Sequence, residues 1–201
     1  MPTKKTVQFL YDFGSPNAYL AHKVIPEIEK RTGARFEYVP ILLGGIFKLT
    51  NNKPPMIAFG EVKGKMAYEM RETERFIARH KLTEYTFNPF FPVNTLALMR
   101  IATAASGDGR VVDALFHHMW ERPKKMDDPE VIRAALLESG LDADALVAAS
   151  QTPETKQKLM AATEEAAGRG VFGSPSFFVG NELFFGKDRL RDVEEEIARA
   201  G

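Results

Sequence analysis

Residues 7–21 read VQFLYDFGSPNAYLA, an apolar run of β-branched and aromatic residues followed by one glycine and a Ser-Pro pair. The run predicts a strand over Thr6–Phe13. Serine is a favoured helix N-cap and proline is favoured at the next position, so we predict a helix that begins at Pro16. The Ser15 hydroxyl then lies at a strand-to-helix corner, where backbone N–H groups and the helix dipole favour an anion. Taken alone, such a motif is more often only a structural cap.

The residues that follow complete a β-α-β unit. The helical pattern covers Pro16–Arg31 and ends at Gly33, a favoured C-cap. Ala34–Pro40 alternates enough to predict a second strand. This order predicts a parallel pair of strands with a right-handed crossover. The turn-forming residues of Leu42–Pro55 predict a loop.

The last part of the chain returns to strand patterns. Ser176–Val179 and Glu182–Phe185 flank Gly180-Asn181, a pair that is typical of a two-residue hairpin turn. Asp188 is predicted to cap a closing helix over Arg189–Ala200.

The intervening residues are predominantly helical in pattern. The predicted helices are Val62–His80, Pro92–Ser106, Gly109–Trp120, Asp128–Glu138, Ala143–Ser150 and Pro153–Gly168. The order of elements predicts an α/β fold: a thioredoxin-like four-stranded mixed sheet (βαβ…ββα) interrupted by a large all-helical insertion. We assign residues 1–50 and 165–201 to a discontinuous thioredoxin-like domain and residues 51–164 to the inserted helical domain.

Composition narrows the class of protein. The 201 residues are 44% hydrophobic, which is enough for a sizeable core. Lys+Arg and Asp+Glu both number 27, so no nucleic-acid or anionic-membrane partner is expected. No apolar stretch approaches membrane-spanning length, and the N-terminal residues leave no room for a signal peptide. The chain has no cysteine, which excludes disulfides, dithiol redox chemistry and thiolate metal sites. A cytoplasmic protein without a bound metal is expected.

Three further places could carry chemistry. Ser174-Pro175 directly precedes a predicted strand, and a cis bond there would turn the Ser174 backbone toward the first helix. The alternative is an ordinary loop proline. Asp188 lies at an exposed helix start, where its carboxylate and the free N–H groups could together bind an amino group and a carboxylate of a ligand. The alternative is that Asp188 is only a helix cap. Residues 51–55 form a third candidate, whose alternative is a polar loop.

Hydrolase and metal chemistry are poorly supported. Ser15 has no local histidine and no Gly-x-Ser-x-Gly turn, so a hydrolase triad is not expected. His117 and His118 are adjacent on a helix and cannot both face one ion.

Several motifs of this sequence, taken together with their order, resemble those of the kappa-class glutathione transferases and the bacterial 2-hydroxychromene-2-carboxylate isomerases of the DsbA-like thioredoxin superfamily. They occupy residues 11–16, 19–21, 52–55, 91–95, 170–175 and 185–190. The resemblance spans essentially the whole chain. It implies a thioredoxin domain with a helical insertion, a homodimer, bound glutathione and an aromatic or electrophilic small-molecule substrate.

The resemblance also implies roles for individual residues. Ser15 would donate a hydrogen bond to the glutathione sulfur and attack nothing itself. The residues that would contact glutathione are Asn52 and Lys53 in the loop, Ser174 and Pro175 through the cysteinyl backbone, Lys187 and Asp188 at the γ-glutamyl end, and neighbouring Gly186. Transferase relatives are expected to carry a larger apolar residue at position 174, so Ser174 favours the isomerase branch.

Three functions remain open. The first is a glutathione-dependent isomerase of aromatic catabolism, in which a thiolate adds to a conjugated carbon, the new single bond rotates, and the thiol leaves a trans alkene. In that case Lys48 or Lys53 would bind the substrate carboxylate. The second is a kappa-like transferase that acts on electrophiles. The third, a glutathione- or peptide-binding module, is disfavoured by Ser15.

Overall fold

The computed structural model describes residues 5–199, and within them one sheet has the strand order β2-β1-β3-β4. The strands are β1 (Thr6–Tyr11), β2 (Arg35–Pro40), β3 (Ser176–Val179) and β4 (Glu182–Phe185). β1 pairs in parallel with β2 and antiparallel with β3, and β3 and β4 form the hairpin. The predicted mixed sheet and thioredoxin-like arrangement are confirmed.

Each predicted helix is present, three of them with the predicted bounds and the others with shifted ends, and two helices between residues 43 and 58 were not predicted. They are α1 (Pro16–Thr32), α2 (Leu43–Thr50), α3 (Pro55–Ala58), α4 (Lys65–His80), α5 (Leu96–Ala104), α6 (Gly109–Trp120), α7 (Pro129–Glu138), α8 (Ala143–Ser150), α9 (Pro153–Gly168) and α10 (Leu190–Arg199). The last position of the predicted closing helix, Ala200, lies outside the described residues. The division into two domains stays a prediction, and its boundary at 164/165 falls within α9.

The predicted loop after Leu42 is wrong, because most of it is helix α2. Ile46 is fully buried against the sheet, and this tertiary contact outweighs the turn-forming composition. Gly45 does not serve a turn. A Cβ there would lie 3.0 Å from Cγ2 of Thr163 in α9, so the missing side chain lets the two helices approach closely.

The prediction that Asp188 caps the last helix is also wrong. Lys187–Arg189 forms a single 3₁₀ turn, and α10 begins only at Leu190. Both carboxylate oxygens of Asp188 instead accept hydrogen bonds from Nζ of Lys187, at 2.8 Å each.

β1 lies inside the sheet and divides the core between two faces. Phe9 and Tyr11 project to the face that packs on α1 and α6. Leu10 projects to the other face, where Ile46 of α2 and Ala166 of α9 cover it. Because both faces of the sheet are covered, the end of β1 meets helices from several parts of the chain.

Asp12, directly after β1, joins the starts of three helices. Asp12 is 1% exposed. Oδ1 accepts hydrogen bonds from the Gly14 N–H (2.8 Å) and from the hydroxyl of Thr95, the N-cap residue of α5 (2.7 Å). Oδ2 accepts one from the N–H of Leu43, the first residue of α2 (2.8 Å). Burial raises the pKa of Asp12, and these three hydrogen bonds oppose that rise.

Asp12→Ala is expected to lower the free energy of unfolding by about 3 kcal/mol or more, because one buried and two partly buried donors lose their acceptor. Urea unfolding measures this change. Asp142→Ala is the matched control, since Asp142 is an exposed cap that bonds only the Ala145 N–H, and it should cost about 1 kcal/mol. Equal losses in the two variants would show that Asp12 is an ordinary cap.

Candidate functional site

Ser15 is the N-cap of α1, as predicted. Its side-chain oxygen accepts a hydrogen bond from the N–H of Ala18 at 3.2 Å, and Pro16 occupies the first helical position. The same hydroxyl donates to the backbone carbonyl of Ser174 at 2.8 Å. Ser15 is 5% exposed, and no acidic residue lies in the first turn of this 17-residue helix. The corner therefore retains the dipole of a long helix beside a buried hydroxyl.

The Ser174–Pro175 bond is cis, as predicted, and lies against this corner. The Ser174 hydroxyl accepts a hydrogen bond from the Asp12 N–H at 3.1 Å, while the Ser174 carbonyl accepts the Ser15 proton. Two hydrogen bonds thus fix the residue before the proline next to the start of α1.

Pro175 is in turn linked to Gly186. The Gly186 N–H donates to the Pro175 carbonyl at 2.9 Å. Gly186 has φ 94° and ψ 154°, a backbone conformation that residues other than glycine rarely adopt. The glycine therefore turns the chain from β4 into the turn that carries Lys187 and Asp188.

Lys187 and Asp188 have unequal access to a ligand. The Lys187 side chain is buried, its ammonium lies 5.1 Å from the ring centre of Phe76 in α4, and both Asp188 oxygens bond it. The Asp188 side chain is 60% exposed. The Asp188 carboxylate is therefore open to solvent, and two hydrogen bonds from the buried Lys187 ammonium fix its orientation.

Asn52 ties the segment after α2 to the same loop. Its amide nitrogen donates to the Phe172 carbonyl at 2.8 Å, and its amide oxygen accepts the Lys53 N–H at 2.8 Å. Lys48 and Lys53 have exposed side chains, and neither forms an ion pair within residues 5–199.

Hydrogen bonds link Ser15 to Ser174 and Gly186 to Pro175, and Ser174 and Pro175 are consecutive in sequence. Asn52 joins this network through its hydrogen bond to the Phe172 carbonyl. Lys187 and Asp188 follow Gly186 but form no hydrogen bond with Ser15. The predicted glutathione contacts of all these residues stay predictions.

The sequence interpretation assigned no role to two residue pairs, one within the hydrogen-bonded corner and one on the loops that adjoin it. Asp12 and Thr95 lie in the motifs that carry the resemblance, and a charged residue at the end of an apolar strand was the available signal for Asp12. Phe172 and Phe185 are 42% and 43% exposed, with ring centres 4.5 Å apart. They line an open surface groove of about 500 Å³, whose lining includes none of the predicted site residues. Their contact joins two loops and could not be read from local sequence.

The fold and this corner define a thioredoxin-like protein with serine at the start of the first helix. The family described as DSBA-like thioredoxin domain matches residues 6–198, and the chain belongs to this family. The chain is 31% identical over 194 residues to the 2-hydroxychromene-2-carboxylate isomerase of Sphingobium xenophagum, covering 96% of this chain and 98% of the relative. It is 27% identical to human glutathione S-transferase kappa 1, covering 94% and 89%.

Solved structures agree on the fold. A 2-hydroxychromene-2-carboxylate isomerase has a TM-score of 0.77 at 24% identity and covers 97% of this chain and 95% of its own. A probable DsbA oxidoreductase from Streptomyces coelicolor has a TM-score of 0.70 at 17% identity, with 98% and 89% covered. The predicted family and the prediction of an enzyme, isomerase or transferase, are confirmed.

No helix within residues 5–199 is long and apolar enough to cross a membrane. The cytoplasmic location and the homodimer stay predictions.

Proposed function

We propose that this protein is a glutathione-dependent isomerase that acts on a 2-hydroxychromene-2-carboxylate-type aromatic catabolite. The observation that carries the proposal is the Ser15 hydroxyl, placed at the start of α1 and 2.8 Å from the Ser174 carbonyl. A hydroxyl donor and a helix N-terminus stabilise a thiolate by the same physics that lowers the pKa of a cysteine in that position. The chain supplies no thiol of its own, so the sulfur must come with the ligand.

The donors and acceptors of the site match the groups of glutathione. The Ser174 carbonyl suits the cysteinyl N–H, and the exposed Asp188 carboxylate suits the γ-glutamyl ammonium. Asn52 and Lys53, on the segment that touches the Phe172 carbonyl, add polar contacts at the ligand's edge. These residues would hold glutathione with its sulfur toward Ser15.

When bound, glutathione supplies a thiolate that adds reversibly to a conjugated carbon and so allows a former double bond to rotate. Ser15 stabilises the sulfur anion by hydrogen bonding, and the first N–H groups of α1 add the helix dipole. Lys48 or Lys53 binds the substrate carboxylate, since both ammonium groups are exposed and unpaired within the described chain. Phe172 and Phe185 offer an apolar surface for an aromatic ring.

The second candidate function is a kappa-like glutathione transferase. The 27% identity to the human kappa enzyme favours it, and the same apolar pair could face an electrophile. Absorbance assays distinguish the two functions. Conjugation of a generic electrophile with glutathione supports the transferase. Conversion of the chromene carboxylate that requires glutathione but does not consume it supports the isomerase. The binding-module hypothesis loses support because the curated relatives are enzymes.

Glutathione is expected to raise the melting temperature, with a linkage free energy of about 2.7 kcal/mol at a hundredfold excess over Kd. Gly186→Ala should abolish much of this rise, because a side chain at φ 94° forces the Asp188 turn to move. Gly107→Ala is the control, because Gly107 also has a positive φ, 91°, and has no atom within 4 Å of the new Cβ. The assignment fails if millimolar glutathione leaves the melting temperature of the unaltered protein unchanged.

Ser15→Ala is expected to lower kcat at saturating glutathione by about a hundred- to a thousandfold, the usual effect of removing one preorganised donor to an anion. The fold should persist, although the lost cap costs about 1 kcal/mol and the Ser174 carbonyl, left without its donor, costs about 1–3 kcal/mol more. Asp188→Asn should act differently and raise the KM for glutathione with a smaller effect on kcat. Full kcat in Ser15→Ala would reduce Ser15 to a structural cap.

We also propose that the protein is a homodimer. Exposed large apolar side chains are concentrated in one stretch of chain: Leu49, Met56, Ile57, Phe59, Val62, Tyr68 and Met70. Sedimentation analysis at micromolar concentration should give twice the 22.5 kDa mass of one chain, and Ile57→Asp should shift it toward the monomer. A monomer in the unaltered protein contradicts the proposal.

A further inference from the structure

The single proton of the Ser15 hydroxyl is already in use. The Ser174 carbonyl can only accept and the Ala18 N–H can only donate, so the directions of both hydrogen bonds of Ser15 are fixed. A hydroxyl donates one hydrogen bond at a time. In the observed arrangement, Ser15 therefore has no proton to offer to a sulfur atom.

Releasing that proton without a substitute is unfavourable. Ser15 and Ser174 are 5% and 8% exposed, so the Ser174 carbonyl would lose its partner where water has little access. Within residues 5–199 only Ser15 donates a hydrogen bond to the Ser174 carbonyl. A replacement donor must arrive with the ligand.

We infer that the site activates only thiols that carry an amide N–H on the carbon next to the sulfur-bearing carbon, as an N-acylated cysteine does. The ligand N–H takes over the Ser174 carbonyl, and the Ser15 hydroxyl turns its proton to the sulfur. The Ser15 hydroxyl keeps its proton throughout and only changes acceptor, while the thiol proton leaves to solvent. A thiol without such an N–H meets a hydroxyl that is still engaged. This inference rests on the proposed glutathione function and adds its selectivity rule.

The exchange couples recognition of the ligand backbone to acidity of the ligand thiol. The Ser174 carbonyl is the discriminating group, because it decides where the Ser15 proton points. The Ala18 N–H keeps its bond to the Ser15 oxygen in both arrangements, so the oxygen itself need not move far.

The test compares glutathione with an analogue in which an ester oxygen replaces the cysteinyl N–H. Each is titrated to saturation on the unaltered protein and on Ser15→Ala, and the pKa of the bound thiol is read from its ultraviolet thiolate absorbance. The analogue should bind roughly fivefold more weakly, since one hydrogen bond is lost. On the unaltered protein, binding should lower the thiol pKa of the analogue, relative to the free analogue, by about one pKa unit less than it lowers that of glutathione relative to free glutathione. On Ser15→Ala the two changes in pKa should be equal.

The outcomes separate this inference from the proposed function. Equal falls in thiol pKa on binding to the unaltered protein, each relative to the free ligand, overturn the inference and leave the proposed function standing. A difference that persists in Ser15→Ala overturns it as well, since the N–H would then act without Ser15. A failure of glutathione to bind, or to become more acidic when bound, overturns the proposed function together with the inference. If Ser15→Ala does not fold, Ser15→Gly retains a tolerated N-cap residue and serves for the same comparison.

Discussion

The buried carboxylate of Asp12 is the contact on which the geometry of this protein most depends. It accepts hydrogen bonds from residues at the starts of α1, α2 and α5, which are widely separated in sequence. A carboxylate is suited to this place because helix N-termini present unpaired N–H groups and partial positive charge. Burial makes each of these bonds stronger and makes the loss of any of them more costly.

The candidate site is built on this anchor. Asp12 also bonds the Ser174 hydroxyl through its own N–H, so one residue fixes both the start of α1 and the residue before the cis proline. The proposed chemistry follows from what this corner holds: a serine hydroxyl, which donates a hydrogen bond but is a weak nucleophile. On the proposed function, the sulfur comes with a bound peptide, because the chain has no cysteine.

Local patterns predicted the elements whose causes are local. The Ser15-Pro16 pair specified the helix start because capping and proline geometry act within one turn. The Gly180-Asn181 pair specified the hairpin for the same reason. The prediction failed for α2, where Gly44 and Gly45 resembled turn formers, although Gly45 serves the approach of α9. It failed at Asp188, whose carboxylate bonds the adjacent Lys187 ammonium instead of capping a helix.

The sequence by itself determined the kinds and order of elements, the location of Ser15 at a helix start, and the family resemblance. These depend on side-chain periodicity and on turn chemistry, which act over a few residues. Only the tertiary structure decided which groups share a hydrogen bond: Asp12 with Leu43 and Thr95, and Ser15 with Ser174, which lies 159 residues away. Periodicity tells which face of an element is buried, but the partner of a buried polar group is set by how the elements pack.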